Sequence, residues 1–211
     1  MKTIDYYYST RSNFTYLGAA RLNALARAHG RRIRHRPILL SVTMPAIGGL
    51  PFSERPVMLR NYSMRDALRW ADHLGVPVLR EPVHHAGPVE LPSGIVIAGQ
   101  RAVARGETGD VDDLSLRVLQ ALWRDDRDIA DATVVAELCR SAGFTSPDAL
   151  VEEALTAGVQ AELARNCQEA IVRGVIGAPT YFVDDEPFYG QDRLDFVERA
   201  LSGAASREAS G

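Results

Sequence analysis

The sequence predicts an α/β fold in which a βαβ opening and a ββα close are separated by a large all-helical insertion. Three patterns carry that prediction. A β-branched and aromatic run opens the chain at Thr3–Tyr8, helical periodicity then dominates the middle, and strand signals return at Tyr181–Val183. At 211 residues the chain is long enough to bury a substantial core.

Thr3–Tyr8 is short and apolar enough for a buried strand, and polar Ser9 and Thr10 end it. From Ser12 the spacing turns helical: Phe14, Leu17, Leu22, Leu25 and Ala28 fall roughly on one face, and Gly30 stands at the stopping position. A second strand is expected over Ile33–Leu40, with the arginines of Arg31–Arg36 on its solvated side. Pro45, Gly48, Gly49, Pro51 and Pro56 mark a long connection after it. Ser63 and Asp66 read as a capping box opening the insertion, with Met64, Ala67, Leu68, Ala71 and Leu74 as the apolar stripe and Gly75 then Pro77 as the stop. Pro77–Pro92 reads as irregular. Asp110, Asp131, and Ser146 ahead of Pro147 predict further helix starts, with Gly143 as an intervening stop. A hairpin turning at Asp184–Glu186 joins Tyr181–Val183 to Pro187–Tyr189, and Gln191–Leu201 reads as the closing helix. The expected division is a sheet domain of residues 1–60 and 171–203, a helical insertion of 61–170 and a flexible tail of 204–211.

Composition narrows the function. Apolar residues at 46% and charged residues at 24% are ordinary globular usage, and a net charge of −3 provides no field to gather nucleic acid or an anionic membrane. The expected partner is a small molecule. No apolar run reaches the roughly 18 residues of a spanning helix, and no export signal is visible, so the expected compartment is the cytoplasm. Cys139 and Cys167 form neither a Cys-x-x-Cys pair nor a zinc spacing and read as small core residues. Adjacent His84 and His85 cannot share one face of an extended segment, so they read as a loop surface, with pocket contact as the alternative, rather than a metal site. Trp70 and Trp123 fit apolar helical patterns and read as core.

Three segments can carry chemistry, and each has a plain structural alternative. Ser12 sits where a strand has ended and a helix begins, beside unpaired N–H groups that favour an anion; it is equally an ordinary N-cap worth about 1 kcal/mol. Pro179, in Gly177-Ala178-Pro179-Thr180, directly precedes a strand, where any trans proline is tolerated. In Gly190-Gln191-Asp192-Arg193 the N–H groups can hold a carboxylate and Asp192 an amino group, although an acid in a first helical turn also simply complements the dipole. A thioredoxin-like sheet would bring all three to one edge.

Taken together, Ile4-Asp5-Tyr6-Tyr7-Tyr8, Ser12, Tyr16-Leu17, Gly174 to Val183 and Phe188 to Leu194 resemble the 2-hydroxychromene-2-carboxylate isomerases, relatives of kappa-class glutathione transferases and of the oxidoreductase DsbA. Asp66–Trp70 and Trp123–Asp131 match that family's helical insertion. The resemblance implies a homodimer and a bound glutathione, or an equivalent low-molecular-weight thiol, whose sulfur lies beside Ser12. It implies a cis Pro179, so that the Ala178 backbone pairs with the cysteinyl part, and it places Gln191 and Asp192 at the γ-glutamyl end. The reaction it implies is isomerisation of an unsaturated carbonyl by reversible thiol addition, with Ser12 donating to sulfur, since no histidine or carboxylate is identifiable as a base for it. The same site could conjugate an electrophile, as a transferase, or bind without catalysis.

The departures fall on the substrate side. Asn13 follows the serine where the family has proline, and Arg11 is an unusual neighbour suited to an anionic substrate. The Pro45–Gly49 loop lacks the family's lysine and asparagine, Ser93 stands where an asparagine is common, and Lys2 is the only lysine in the chain. Arg11, Asn13, Pro45, Gly49 and Ser93 are therefore the expected substrate-side residues.

Overall fold

The computed structural model describes residues 2–203; the expected tail of 204–211 lies outside them. The order is β1 (Thr3–Tyr8), α1 (Asn13–Ala28), β2 (Arg32–Pro37), α2 (Leu40–Ala46), α3 (Val57–Leu74), α4 (Glu90–Ala104), α5 (Val111–Trp123), α6 (Ala132–Ser141), α7 (Pro147–Ala154), α8 (Ala157–Val172), β3 (Thr180–Val183), β4 (Glu186–Tyr189) and α9 (Leu194–Leu201). Single 3₁₀ turns occupy Phe52–Glu54, Val83–Ala86 and Gln191–Arg193. The strands form one mixed sheet, β2-β1-β3-β4, with β1 parallel to β2 and antiparallel to β3.

β1 is one of the two inner strands, which explains its unbroken burial from Ile4 to Tyr8. Alternation sends Ile4, Tyr6 and Tyr8 to the face covered by α1 and α9, where they pack with Leu22, Tyr181, Leu194 and Val197. Tyr7 points to the other face, with Phe182 and with Cys167 and Ala170 of α8. A larger core joins α4, α5, α6 and α7, and Tyr16 and Ala19 of α1 belong to it. Leu17 of the same helix packs against α3. Helix α1 is thus the junction of three cores, which is why its apolar residues are not confined to one stripe.

A buried polar chain fastens the two halves. Tyr8 Oη lies 2.7 Å from Ser115 Oγ on α5 and 3.1 Å from His35 Nδ1 on β2, and His35 Nε2 lies 2.8 Å from Asp112 Oδ1. On the opposite face Asp5, only 7% exposed, is paired with Arg34 and accepts from Arg173 Nη1 at 2.7 Å. Burial pushes the Asp5 carboxyl up, but the two guanidiniums more than offset it and hold the group below its ordinary 3.8. A depressed carboxyl stabilises the fold above its unfolded-state value and loses that contribution as pH falls through the folded one. Asp5→Asn is therefore expected to lower stability at pH 7 by about 2 kcal/mol in urea denaturation, with the deficit shrinking on acidification.

Several boundaries differ from those expected. The second strand stops at Pro37, and Leu39 and Leu40 open a helix instead; a short apolar run of this kind does not distinguish strand from helix. The 45–56 connection is accordingly shorter, since α2 runs to Ala46 and includes Pro45. Helix α3 begins after Pro56, so Ser63 lies in its interior and forms no capping box; Gly75, with φ 64°, ends it as expected. The stretch 77–92 is not irregular throughout: α4 starts at Glu90 and carries Pro92 in its first turn, where a missing N–H is harmless. The closing helix opens with a 3₁₀ turn before α9.

Candidate functional site

After Tyr8 the chain turns sharply through buried Ser9 and Thr10, with the Ser12 N–H donating to Ser9 O at 3.1 Å. Thr10 Oγ1 lies 3.4 Å from Ser93 Oγ, which ties this turn to α4. Ser12 is the N-cap of α1: its backbone is extended, with φ −83° and ψ 123°, and its Oγ accepts from the Thr15 N–H at 3.2 Å. That bond fixes the oxygen but leaves the hydroxyl proton without an acceptor among the described residues. The first turn of α1 contains no acidic side chain, so the positive end of its dipole is uncompensated.

The second segment meets this region from the sheet. The Ala178–Pro179 peptide is cis, Thr180 Oγ1 donates to Gly177 O at 2.8 Å, and the Gly190 N–H donates to Pro179 O at 2.9 Å. Gly177 has no room for a side chain because the Tyr189 ring rests on it, 2.6 Å from where a Cβ would be. Gly190, with φ 104°, is required both by its backbone and because a Cβ there would strike Asp192 Oδ1. Gln191 is 1% exposed; its Oε1 accepts from Arg21 Nη1 at 3.3 Å, and its Nε2 has no partner among the described residues. Asp192 Oδ2 accepts from Arg193 Nη1 at 2.8 Å.

These segments enclose a cavity of about 230 Å³ lined by Phe14 of α1, Ala178, Tyr189 and Gly190–Arg193, with Asp66 and Trp70 of α3 completing the wall. Of the expected site residues, Ala178, Gln191 and Asp192 are in the lining. Ser12 and Pro179 adjoin it through Phe14 and Ala178 and are not themselves part of it. Arg11, Asn13, Pro45, Gly49 and Ser93 lie outside the lining. Ser93 still reaches the Ser12 turn through Thr10, and Asn13 Oδ1 accepts the Phe14 N–H at 2.8 Å. Pro45 ends within α2, and the Gly49 N–H donates to Met44 O at 2.8 Å.

Two wall residues have other roles in their sequence patterns: Asp66 reads as a cap, which it is not, and Trp70 reads as core, which it partly is, since it packs against the Leu17, Ala67 and Ala71 cluster as well as lining the cavity. They are four apart on one helix and therefore share a face, a signal that exists in the sequence but is hidden by the neighbouring apolar stripe. His85 lies in the Val83–Ala86 turn and is half-buried, its ring packing on Trp123 at 5.0 Å between centroids, and burial and the Arg11 charge hold its imidazole below the ordinary value. Cys139 and Cys167 are both buried; burial pushes the Cys139 thiol up to about 12 and raises that of Cys167, so neither supplies thiolate. Among the described residues no group of three or more His, Cys, Asp or Glu could hold a metal ion, and no helix is long and apolar enough to cross a membrane.

A four-stranded sheet with a helix start, a cis proline and a final helical turn gathered at one edge defines a protein of the thioredoxin class. Residues 3–202 match the DsbA-like thioredoxin domain family. The chain is 33% identical to 2-hydroxychromene-2-carboxylate isomerase of Sphingobium xenophagum, covering 95% of this chain and 98% of the relative, and 31% identical to that of Pseudomonas sp. (strain C18), covering 95% and 91%. A solved structure of 2-hydroxychromene-2-carboxylate isomerase aligns with a TM-score of 0.76 at 24% identity, over 98% of both chains. The cytosolic disulfide reductase DsbM from Pseudomonas aeruginosa shares the fold at a TM-score of 0.69, with 21% identity over 97% of this chain and 98% of that one. The chain belongs to the DsbA-like family and, within it, to the 2-hydroxychromene-2-carboxylate isomerase family; its relatives support an enzyme, an isomerase with a small-molecule substrate.

Proposed function

We propose that this chain is a thiol-dependent isomerase. It uses glutathione or an equivalent low-molecular-weight thiol to isomerise an unsaturated carbonyl or aromatic compound of the 2-hydroxychromene-2-carboxylate type by reversible addition. The observation that carries this reading is the meeting of the first turn of α1, Ala178 and the Gly190–Arg193 turn around one cavity. The wall suits a γ-glutamyl thiol. Gln191 has a buried Nε2 with no partner, and Asp192 offers a carboxylate to an amino group. In this reading Gln191 and Asp192 hold the γ-glutamyl end, the Ala178 backbone the cysteinyl part, and Ser12 the sulfur.

Bound there, the thiol supplies the nucleophile that adds to and later leaves the substrate double bond, with no net redox change. The protein's part is electrostatic and positional. The uncompensated start of α1 and the free Ser12 proton favour an anion at the cap and can bring a thiol from about 8.5 into the range 3.5–7.5. Asp66 and Trp70 form the side of the cavity that α3 supplies.

Leu50, Val57, Met58, Leu59 and Tyr62 are exposed apolar residues before and at the start of α3, of the kind the proposed homodimer would cover. The proposed compartment is the cytoplasm, the thiol-rich setting such an enzyme needs.

Glutathione is expected to bind by titration calorimetry, and mass spectrometry is expected to recover it unchanged after turnover of 2-hydroxychromene-2-carboxylate. A glutathione adduct among the products would make the protein a transferase. Absence of thiol binding would leave a non-catalytic DsbA-like binding protein.

A further inference from the structure

Arg11 immediately precedes the cap residue, and it is half-buried without a counter-charge. Its Nη1–H donates to Gly87 O at 2.5 Å, and among the described residues no carboxylate lies within ion-pair distance of it. Glu90 is the acid whose field reaches it, but Glu90 Oε2 accepts the Val89 N–H at 2.9 Å instead. Burial accordingly pulls the Arg11 guanidinium below its usual value, against the attraction of Glu90. Arg101 and Arg173, also partly buried, each have a carboxylate at 2.7 Å. None of the Arg11 nitrogens is among the buried unpartnered atoms, so the donors that Gly87 does not use remain open to an incoming anion.

A second observation adjoins the first. The His85 ring, close enough to Arg11 to feel its charge, packs at a tilt on Trp123, and Trp123 is 2% exposed with its Nε1–H unpartnered among the described residues. A half-buried imidazole backed by a buried indole therefore stands beside the unpaired guanidinium. We infer that Arg11, backed by the His85–Trp123 wall, is the specificity-determining residue of this enzyme and takes the carboxylate of the electrophile. The inference deepens the proposed function and rests on that reading of Ser12.

A carboxylate at Arg11 could come from the electrophile or from the thiol. Arg11 is absent from the cavity that Gln191 and Asp192 line, and its guanidinium bonds Gly87 O instead. The electrophile is therefore the assigned source.

The test is calorimetry on the wild-type protein, Arg11→Gln and Arg11→Lys, with trans-cinnamate, its uncharged isostere cinnamamide, and glutathione. Wild type is expected to bind cinnamate about tenfold tighter than cinnamamide, the worth of one charge-assisted contact. Arg11→Gln should abolish that preference, Arg11→Lys should keep part of it, and glutathione affinity should change by less than about twofold in both. No preference in the wild type, or a preference that survives in Arg11→Gln, overturns the inference. Loss of glutathione affinity with the cinnamate preference intact assigns the guanidinium to the thiol and also overturns it. If Arg11→Gln fails to fold, Arg11→Lys decides, because an undiminished preference there excludes recognition by the planar fork. A wild type that prefers cinnamate through Arg11 but ignores glutathione sinks the thiol reading and leaves this inference standing.

Discussion

Replacing Ser12 with alanine is expected to reduce thiol-dependent turnover by about a hundredfold while the chain stays folded. The reduction follows from losing one preorganised donor aimed at an anion, typically worth 10² to 10³ in rate. Stability should fall by only about 1 kcal/mol, because the substitution removes the single cap bond from Thr15. The backbone bonds from Ser12 N–H to Ser9 O and from Tyr16 N–H to Ser12 O remain, so the turn keeps its shape. The pH profile separates the two effects. Loss of the donor raises the thiol pKa, so the deficit should be largest near neutrality and shrink as pH rises, whereas a misfolded variant would be impaired at every pH. Ser12→Thr, which keeps a capping hydroxyl, should recover most of the rate. Undiminished turnover in the alanine variant would remove Ser12 from the reaction.

The sequence reveals the elements of this fold better than it reveals their boundaries. Ser12, Asp110 and Asp131 cap helices where their spacing indicates, because side-chain capping is a local interaction. The hairpin turn at Asp184 and Asp185 is similarly local, both residues having positive φ. The start of α3 is not legible, since Pro56 makes no side-chain cap bond and exposed Val57, Met58 and Leu59 show no helical stripe. On the site side, Ala178, Gln191 and Asp192 were legible through their family motif and meet in one wall. Asp66 and Trp70 were not, because their four-residue spacing shows only that they share a face, and which wall that face meets depends on how α3 packs against α1. The unpaired state of Arg11 is invisible for the same reason: the sequence shows the charge but not the absence of a partner.

The second large effect is expected at Gly18, which no motif singles out. A glycine in a helix interior costs about 1 kcal/mol relative to alanine, so its place in the middle of α1 calls for a compensating contact. A Cβ at Gly18 would lie 2.8 Å from Tyr181 Oη and 2.9 Å from Gln191 Cβ. Neither neighbour yields easily. Tyr181 is fully buried and stacked on Tyr6 at 5.3 Å, and Tyr6 in turn stacks on Tyr8 at 4.2 Å. Gln191 is held by Arg21 and carries the turn that presents Asp192 to the cavity. Overpacking of this kind costs about 1–3 kcal/mol, so Gly18→Ala should be destabilised despite its better helix propensity, by about 1–2 kcal/mol in urea denaturation. Because the most movable element is the Gln191–Arg193 turn, glutathione affinity should weaken by about tenfold, with kcat at saturating thiol changing by less than about twofold. Gly158→Ala is the control: on α8 its Cβ would meet nothing closer than Arg101 Nη1 at 3.7 Å, and it should gain up to about 1 kcal/mol with thiol affinity unchanged. A Gly18→Ala variant that is as stable as the wild type and binds glutathione equally well would show that the close approach of α1 to the 191–193 turn does not set the thiol site. A variant in which kcat falls while affinity holds would place the effect at Ser12 instead, transmitted along α1.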